Sequence, residues 1–229
     1  MSIKVSNMGY YAKGKHTQIL DVYESKPEGD GPFPTVVLFM HVFGVDDPMK
    51  KVCDDLAEAG FYALGYDGYL NGSYGGQNRS EDAIFHSFHT LLHWMERNPL
   101  VDMTKLGAIG FCMGGRHAYL ANAYTDVFKA VVAYYGFPHR GDNENNTPQN
   151  RIADFTGAVL SIFGELDKGI PQDAVQAYQA ASETSGKHSS IVYNGVGHGF
   201  LNPYSANHNK EVSEQAWGKT IEHFKKYLS

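Results

Sequence analysis

Residues 105–120 read KLGAIGFCMGGRHAYL: an apolar run, a cysteine set among glycines, and a segment of helical character. A buried strand that turns sharply into a helix at G-x-C-x-G has the form of a nucleophile elbow. Glycines two before and two after the central residue remove side chains where strand and helix crowd together. The residue between them can then take a strained backbone and point outward. Cys112 would stand at a helix N-terminus, where unpaired amides and the helix dipole favour a thiolate. The N–H of Met113, just past it, is placed to donate to an oxyanion. The hexapeptide GFCMGG (110–115) alone is equally consistent with a buried structural cysteine beside a packing turn, so the rest of the chain has to decide.

Working outward, TVVLFM (35–40), FYALGY (61–66), KAVVAYYG (129–136) and AVLSIFG (158–164) read as strands buried on both faces, and SSIVYN (189–194) as a last strand. TQILDVYE (17–24) alternates apolar and polar residues, the pattern of a strand with one wet face. Helical segments fall between them at 47–60, 80–98, 113–124, 171–186 and roughly 207–228. Strands alternating with helices predict an α/β protein with a mostly parallel central sheet, helices on both faces, and a site beyond the carboxyl ends of the strands. The 229 residues are enough for one domain, expected to span 1–229. The polar connection 137–155 is longer than most, and either covers the site or forms a loose surface loop.

A cysteine nucleophile needs a base, and the base an acid to orient it. In enzymes with such an elbow the chain order is nucleophile, acid, histidine. The strand ending at Phe163-Gly164 is followed by Glu165-Leu166-Asp167, and the last strand by GVGHGF (195–200), which carries His198 between glycines. Cys112, Asp167 and His198 therefore converge on one edge of the sheet. Asp167 could also be a turn or capping acid, with Glu165 as a rival, and His198 an ordinary loop histidine.

With these residues in place, the chain resembles the dienelactone hydrolase family of the α/β-hydrolase superfamily. VDMTKLGAIGFCMGGRHAYL, FGELDKGIP and YNGVGHGFLNPYS carry the likeness, which extends through FPTVVLFMHVFGVDDPMKKVCDDLAEAGFYALGYDGY. The resemblance implies an α/β-hydrolase fold, a Cys112-Asp167-His198 triad and a second oxyanion donor in the N–H of Val42, with no metal and no cofactor. It also implies hydrolysis of a small-molecule ester or lactone. Members acting on dienelactone carry a glutamate beside the oxyanion residue, where this chain has His41. Four residues after the histidine they carry an arginine that holds the substrate carboxylate, where this chain has Asn202. Arg79 is the candidate for a second carboxylate-binding arginine, or is a plain surface residue. Loss of one charge-assisted contact, about 1.5–3 kcal/mol, weakens selection for an anionic lactone by one to two orders of magnitude. A neutral ester, lactone or thioester is the expected substrate. The alternative is a hydrolase-fold protein that binds a ligand at the same place with little or no turnover.

The composition fits a compact globular protein, with 42 % hydrophobic residues, 19 % charged residues and 25 glycines. A net charge of −6 without any clustered Lys and Arg argues against a nucleic-acid partner. The longest apolar run, 33–45, contains His41 and is too short to span a bilayer, so no membrane partner is expected. The N-terminus lacks an apolar signal core, and the two cysteines fit no C-x-x-C pair, which suggests a cytoplasmic monomer or small homo-oligomer. Cys53 reads as a small buried hydrophobe. His86, His89 and His93 share a helix face and could face a metal, but read more simply as the polar side of an amphipathic helix. Phe43, Tyr66, Tyr69, Tyr74, Tyr135, Phe137 and Phe200 stand near strand ends and are candidates to line a pocket.

Overall fold

The computed structural model describes residues 1–11, 14–69 and 81–229. Its strands are β1 (Ser2–Tyr11), β2 (Gly14–Ser25), β3 (Phe33–Phe39), β4 (Tyr62–Tyr66), β5 (Val101–Phe111), β6 (Phe128–Tyr134), β7 (Ala158–Gly164) and β8 (His188–Tyr193). Its α-helices are α1 (Asp47–Glu58), α2 (Glu81–Met95), α3 (Met113–Tyr124), α4 (Gln172–Ser182) and α5 (Lys210–Leu228). The strands form one sheet in the order β1-β2-β4-β3-β5-β6-β7-β8. From β4 to β8 every neighbouring pair is parallel, while β1 and β2 add an antiparallel edge.

The parallel strands are continuous apolar runs because both of their faces are covered. Val36, Val37, Leu38 and Phe39 of β3, and Leu106, Ala108 and Ile109 of β5, are fully buried. The two faces can be read from β5. A side chain at Gly107 would meet Phe224 and Leu228 of α5, whereas one at Gly110, three residues on and so on the opposite face, would meet Gly114 of α3. On the α5 side, α1 packs over β4, with Cys53 next to Gly65. A core residue such as Ile109 is worth about 2–5 kcal/mol against alanine.

Of the edge hairpin, β2 is the strand expected from TQILDVYE (17–24), while β1 was not anticipated. The N-terminal MSIKVS alternates apolar and polar residues for six positions, but the pattern breaks at Asn7, and it is the backbone register, Ser2 opposite Tyr23 through Tyr11 opposite Gly14, that reveals the full β1. The last helix starts later than its pattern suggests, at Lys210, because Asn209 caps it: Val212 N–H donates to Asn209 Oδ1 at 3.1 Å. Among the described residues no helix is long and apolar enough to cross a membrane.

The topology places the site. β3 is followed by its neighbour β4 on one side, and the chain then crosses to β5 on the other. The loops leaving β3 and β5 diverge, and the crevice between them is where ligands bind in open parallel sheets. The loop beginning at Met40 and the turn at Cys112 both open into it.

Candidate active site

Cys112 joins β5 to α3 with φ 57° and ψ −121°, in the left-handed region that side chains avoid. Backbone crowding holds it there. A Cβ on Gly110 would lie 2.1 Å from the Gly114 carbonyl oxygen, and one on Gly114 would lie 2.0 Å from that of Phe39. The Cys112 N–H donates to the Tyr134 carbonyl at 3.0 Å, tying the turn to β6. Strain of about 1–3 kcal/mol at such a residue persists only where the surroundings over-determine it. The thiol is half-buried at the helix N-terminus, and Met113 opens the helix beside it. Cys53, by contrast, is fully buried, and burial pushes its thiol far up.

Asp167 and His198 arrive from the loops after β7 and β8. Asp167 is 4 % exposed; its Oδ1 accepts the Gly169 N–H at 2.8 Å and its Oδ2 faces His198 Nδ1 at 2.7 Å. The rival Glu165 is exposed and instead accepts the Gly195 N–H at 2.9 Å, bracing the two loops. The His198 ring stacks on Phe137 (5.2 Å, 26°) and leans on Tyr135 (4.8 Å). The Arg140 guanidinium lies over the Phe137 ring at 4.7 Å. Burial disfavours the charged imidazole, but the hydrogen bonds and charges of Asp167 and Cys112 outweigh it, and His198 is raised to about 9.

Tyr135 has φ 40°, the second non-glycine residue with positive φ among the described residues, after Cys112. Burial drives its phenol well above the usual range, and the charges of Cys112 and Asp167 add to this, placing it beside those two residues. The sequence put Tyr135 among several aromatics without distinguishing it, because strain carries no compositional signal. Phe43, 48 % exposed, also lines the pocket, whereas Tyr66 and Phe200 are core residues. Tyr69 lies behind the pocket and donates its hydroxyl proton to the His41 carbonyl at 3.3 Å.

The cavity around the thiol measures about 340 Å³ and is bounded by His41, Val42, Met49, Cys112, His198 and Asn202, among others. His41 is 6 % exposed, with its Nε2 2.9 Å from Asp46 Oδ2 and its ring edge-on to Phe43. Asp46 also caps α1, accepting the Met49 N–H at 3.3 Å. His41 Nε2 thus lies at ion-pair distance from Asp46 but makes no hydrogen bond, a proximity that sequence reasoning missed because it depends on how the loop after β3 folds. Asn202 Oδ1 accepts the Tyr204 N–H at 2.9 Å. Arg79 and Tyr74 lie outside the described residues. Of the long connection, Phe137 to Arg140 flank the site, while Asp142 and Asn146 bond Glu81 at the start of α2. Among the described residues no group of three His, Cys, Asp or Glu side chains is placed to hold a metal; His93 instead faces Glu96 at 3.7 Å.

Comparison with known proteins places this arrangement. A protein of Escherichia coli O157:H7 named as a carboxymethylenebutenolidase is 30 % identical over 228 residues, covering 91 % of this chain and 83 % of its own. A Bradyrhizobium protein named as a 2-oxo-3-(5-oxofuran-2-ylidene)propanoate lactonase is 25 % identical, covering 90 % of this chain and 89 % of its own. A solved structure from Klebsiella pneumoniae subsp. pneumoniae, named as a dienelactone hydrolase, superposes with a TM-score of 0.85 at 24 % identity, covering 99 % of each chain. The sequence profile of the dienelactone hydrolase family matches residues 20–228, and with the α/β-hydrolase fold and the relatives above, the chain belongs to that family of carboxylic-ester and lactone hydrolases.

Proposed function

We propose that the protein hydrolyses small, neutral esters or lactones through a covalent thioester on Cys112. What carries this reading is the linkage of Asp167 to His198 at 2.7 Å, beside a cysteine held in a strained strand-to-helix turn. With the thiol proton on His198, the Cys112 sulfur attacks the substrate carbonyl and the negative charge moves to its oxygen. The N–H groups of Val42 and Met113 are the donors for that oxyanion. The intermediate collapses, the carbon–oxygen bond to the alcohol breaks, and His198 gives its proton to the departing oxygen. Water then attacks the thioester and passes a proton to His198; the acid leaves, and the sulfur is free again. Asp167 holds the imidazole with Nδ1–H toward itself throughout, so that Nε2 serves the reacting atoms.

The neutral character of the substrate is supported by Asn202 on the cavity wall and by His41, a histidine beside Asp46 at the position of the family's glutamate. The relatives' names point to anionic lactones, and this chain lacks the arginine after the histidine that would hold their carboxylate. The test is p-nitrophenyl acetate. A burst of p-nitrophenol followed by steady turnover, with an acetyl adduct on Cys112 by mass spectrometry and neither in Cys112→Ala, is the expected result. Labelling of Cys112 without turnover would favour the ligand-binding alternative, and turnover that survives Cys112→Ala would refute the nucleophile.

A further inference from the structure

A second cavity of about 390 Å³ adjoins the first and shares Pro48, Met49, Tyr135 and Asn202 with it. It lies between α1 and α5, on the face of the sheet opposite α3. Its walls are apolar: Met49 and Val52 come from α1, Leu201 from the segment after His198, and Trp217 from α5. The charges around it are already matched, Lys51 to Asp55 and Lys210 to Glu214. His208 Nδ1 is engaged by the Phe200 carbonyl at 3.0 Å. A cavity walled this way selects uncharged, apolar groups.

We propose that this cavity binds the alcohol portion of the substrate, so that the enzyme acts on esters whose alcohol carries an apolar chain. The inference rests on the reading of Cys112 as nucleophile. Its direction comes from the chemistry. His198 must hand its proton to the departing oxygen, so the alcohol lies on the His198 side of the sulfur. The segment that leads away from His198 supplies Leu201, Asn202, Pro203 and His208 to the second cavity. Val42, the proposed oxyanion residue, lines the first cavity and not the second. Asn202 stands on the wall common to both, so the replacement of an arginine there opens an uncharged passage instead of a carboxylate clamp.

The experiment compares two ester series on the wild type, Trp217→Ala and Ser213→Phe: ethyl, butyl, hexyl and octyl acetate, and ethyl butyrate, hexanoate and octanoate. Alcohols beyond butyl depart with nearly equal ease, so a length dependence reports binding. Expected is a rise in kcat/KM of about threefold to fourfold per added methylene in the acetate series until the cavity is full. Trp217→Ala should flatten that slope, and Ser213→Phe, which fills the cavity, should make the rise stop at a shorter alcohol. A flat acetate series, a slope unchanged in both variants, or a slope that depends on Trp217 only in the acyl series overturns the proposal. In each of these cases an acetyl adduct on Cys112 still marks the nucleophile; absence of that adduct for every ester defeats the underlying reading instead.

Discussion

Replacing Asp167 by asparagine perturbs the electrostatics of the site at its most buried point. The Asp167 side chain is 1 % exposed and 2.7 Å from His198 Nδ1, so the change keeps the shape and removes the charge. His198 stands at about 9 against an ordinary value near 6.5. That difference corresponds to about 3 kcal/mol in favour of the imidazolium, achieved by Asp167 and Cys112 against the opposing effect of burial. A hydrogen bond to a charged group contributes about 1.5–3 kcal/mol, so the variant's His198 should titrate about one to two pH units lower. The same loss, felt where the imidazolium forms or is held during acylation, should slow kcat/KM about 10- to 150-fold. Nitrogen-detected NMR of the His198 ring across pH 5–10, together with ester kinetics, measures both. The sign for stability follows from a value raised in the folded state. The contribution of the imidazolium to folding is fully present below about pH 6.5 and is lost as the pH rises through about 9. The urea-unfolding advantage of the wild type over Asp167→Asn should therefore be largest near pH 6 and shrink by pH 10. A variant whose His198 still titrates near 9, or whose kcat/KM stays within about twofold, would refute the reasoning.

Gly114→Ala would bring a methyl carbon 2.0 Å from the Phe39 carbonyl oxygen, so the expected loss exceeds about 4 kcal/mol, with thermal denaturation showing a Tm lower by about 8–16 °C. His41→Glu, which reinstates the family's glutamate, would set two carboxylates side by side, given that His41 Nε2 is 2.9 Å from Asp46 Oδ2. It should destabilise the fold by up to about 4 kcal/mol in urea unfolding, and Asp46→Asn, which keeps the helix cap, should recover most of that. Iodoacetamide with peptide mapping should modify Cys112 under native conditions and leave Cys53 intact until the protein unfolds, because burial at Cys53 disfavours its thiolate.

The parts of the molecule legible in the sequence are those that backbone packing dictates. Buried parallel strands must be apolar on both faces, so β3 to β7 announce themselves. The elbow is equally legible, because Gly110 and Gly114 are the only residue type that fits against the backbone atoms they face. β1 was passed over although MSIKVS alternates, because that pattern is short and the strand is carried on to Tyr11 by main-chain pairing to β2. The pairing of His41 with Asp46 escaped notice because it depends on how the loop after β3 folds back, with the Gly44 N–H donating to the His41 carbonyl at 3.1 Å. Tyr135 was one aromatic among seven until its φ of 40° set it apart.

That division has a chemical consequence. The groups proposed to do the chemistry stand at three strand ends, beside glycines such as Gly110, Gly114 and Gly164 whose Cβ would collide with backbone atoms. The groups that would choose the substrate, Leu201, Asn202 and Trp217, instead sit on a loop and a helix facing open cavity space. On the proposed reading, a change at Asn202 or Trp217 should alter which ester is held while leaving Cys112, Asp167 and His198 in place. The same triad geometry can therefore accompany an arginine clamp for an anionic lactone or, as proposed for this chain, an uncharged passage into an apolar cavity. Introducing arginine at position 202 puts this separation to the test: Asn202→Arg should raise kcat/KM for an ester bearing a carboxylate by about 10-fold or more relative to a neutral ester, with the acetyl adduct on Cys112 from p-nitrophenyl acetate still formed. Loss of that adduct would mean that position 202 cannot be changed without disturbing the reacting groups.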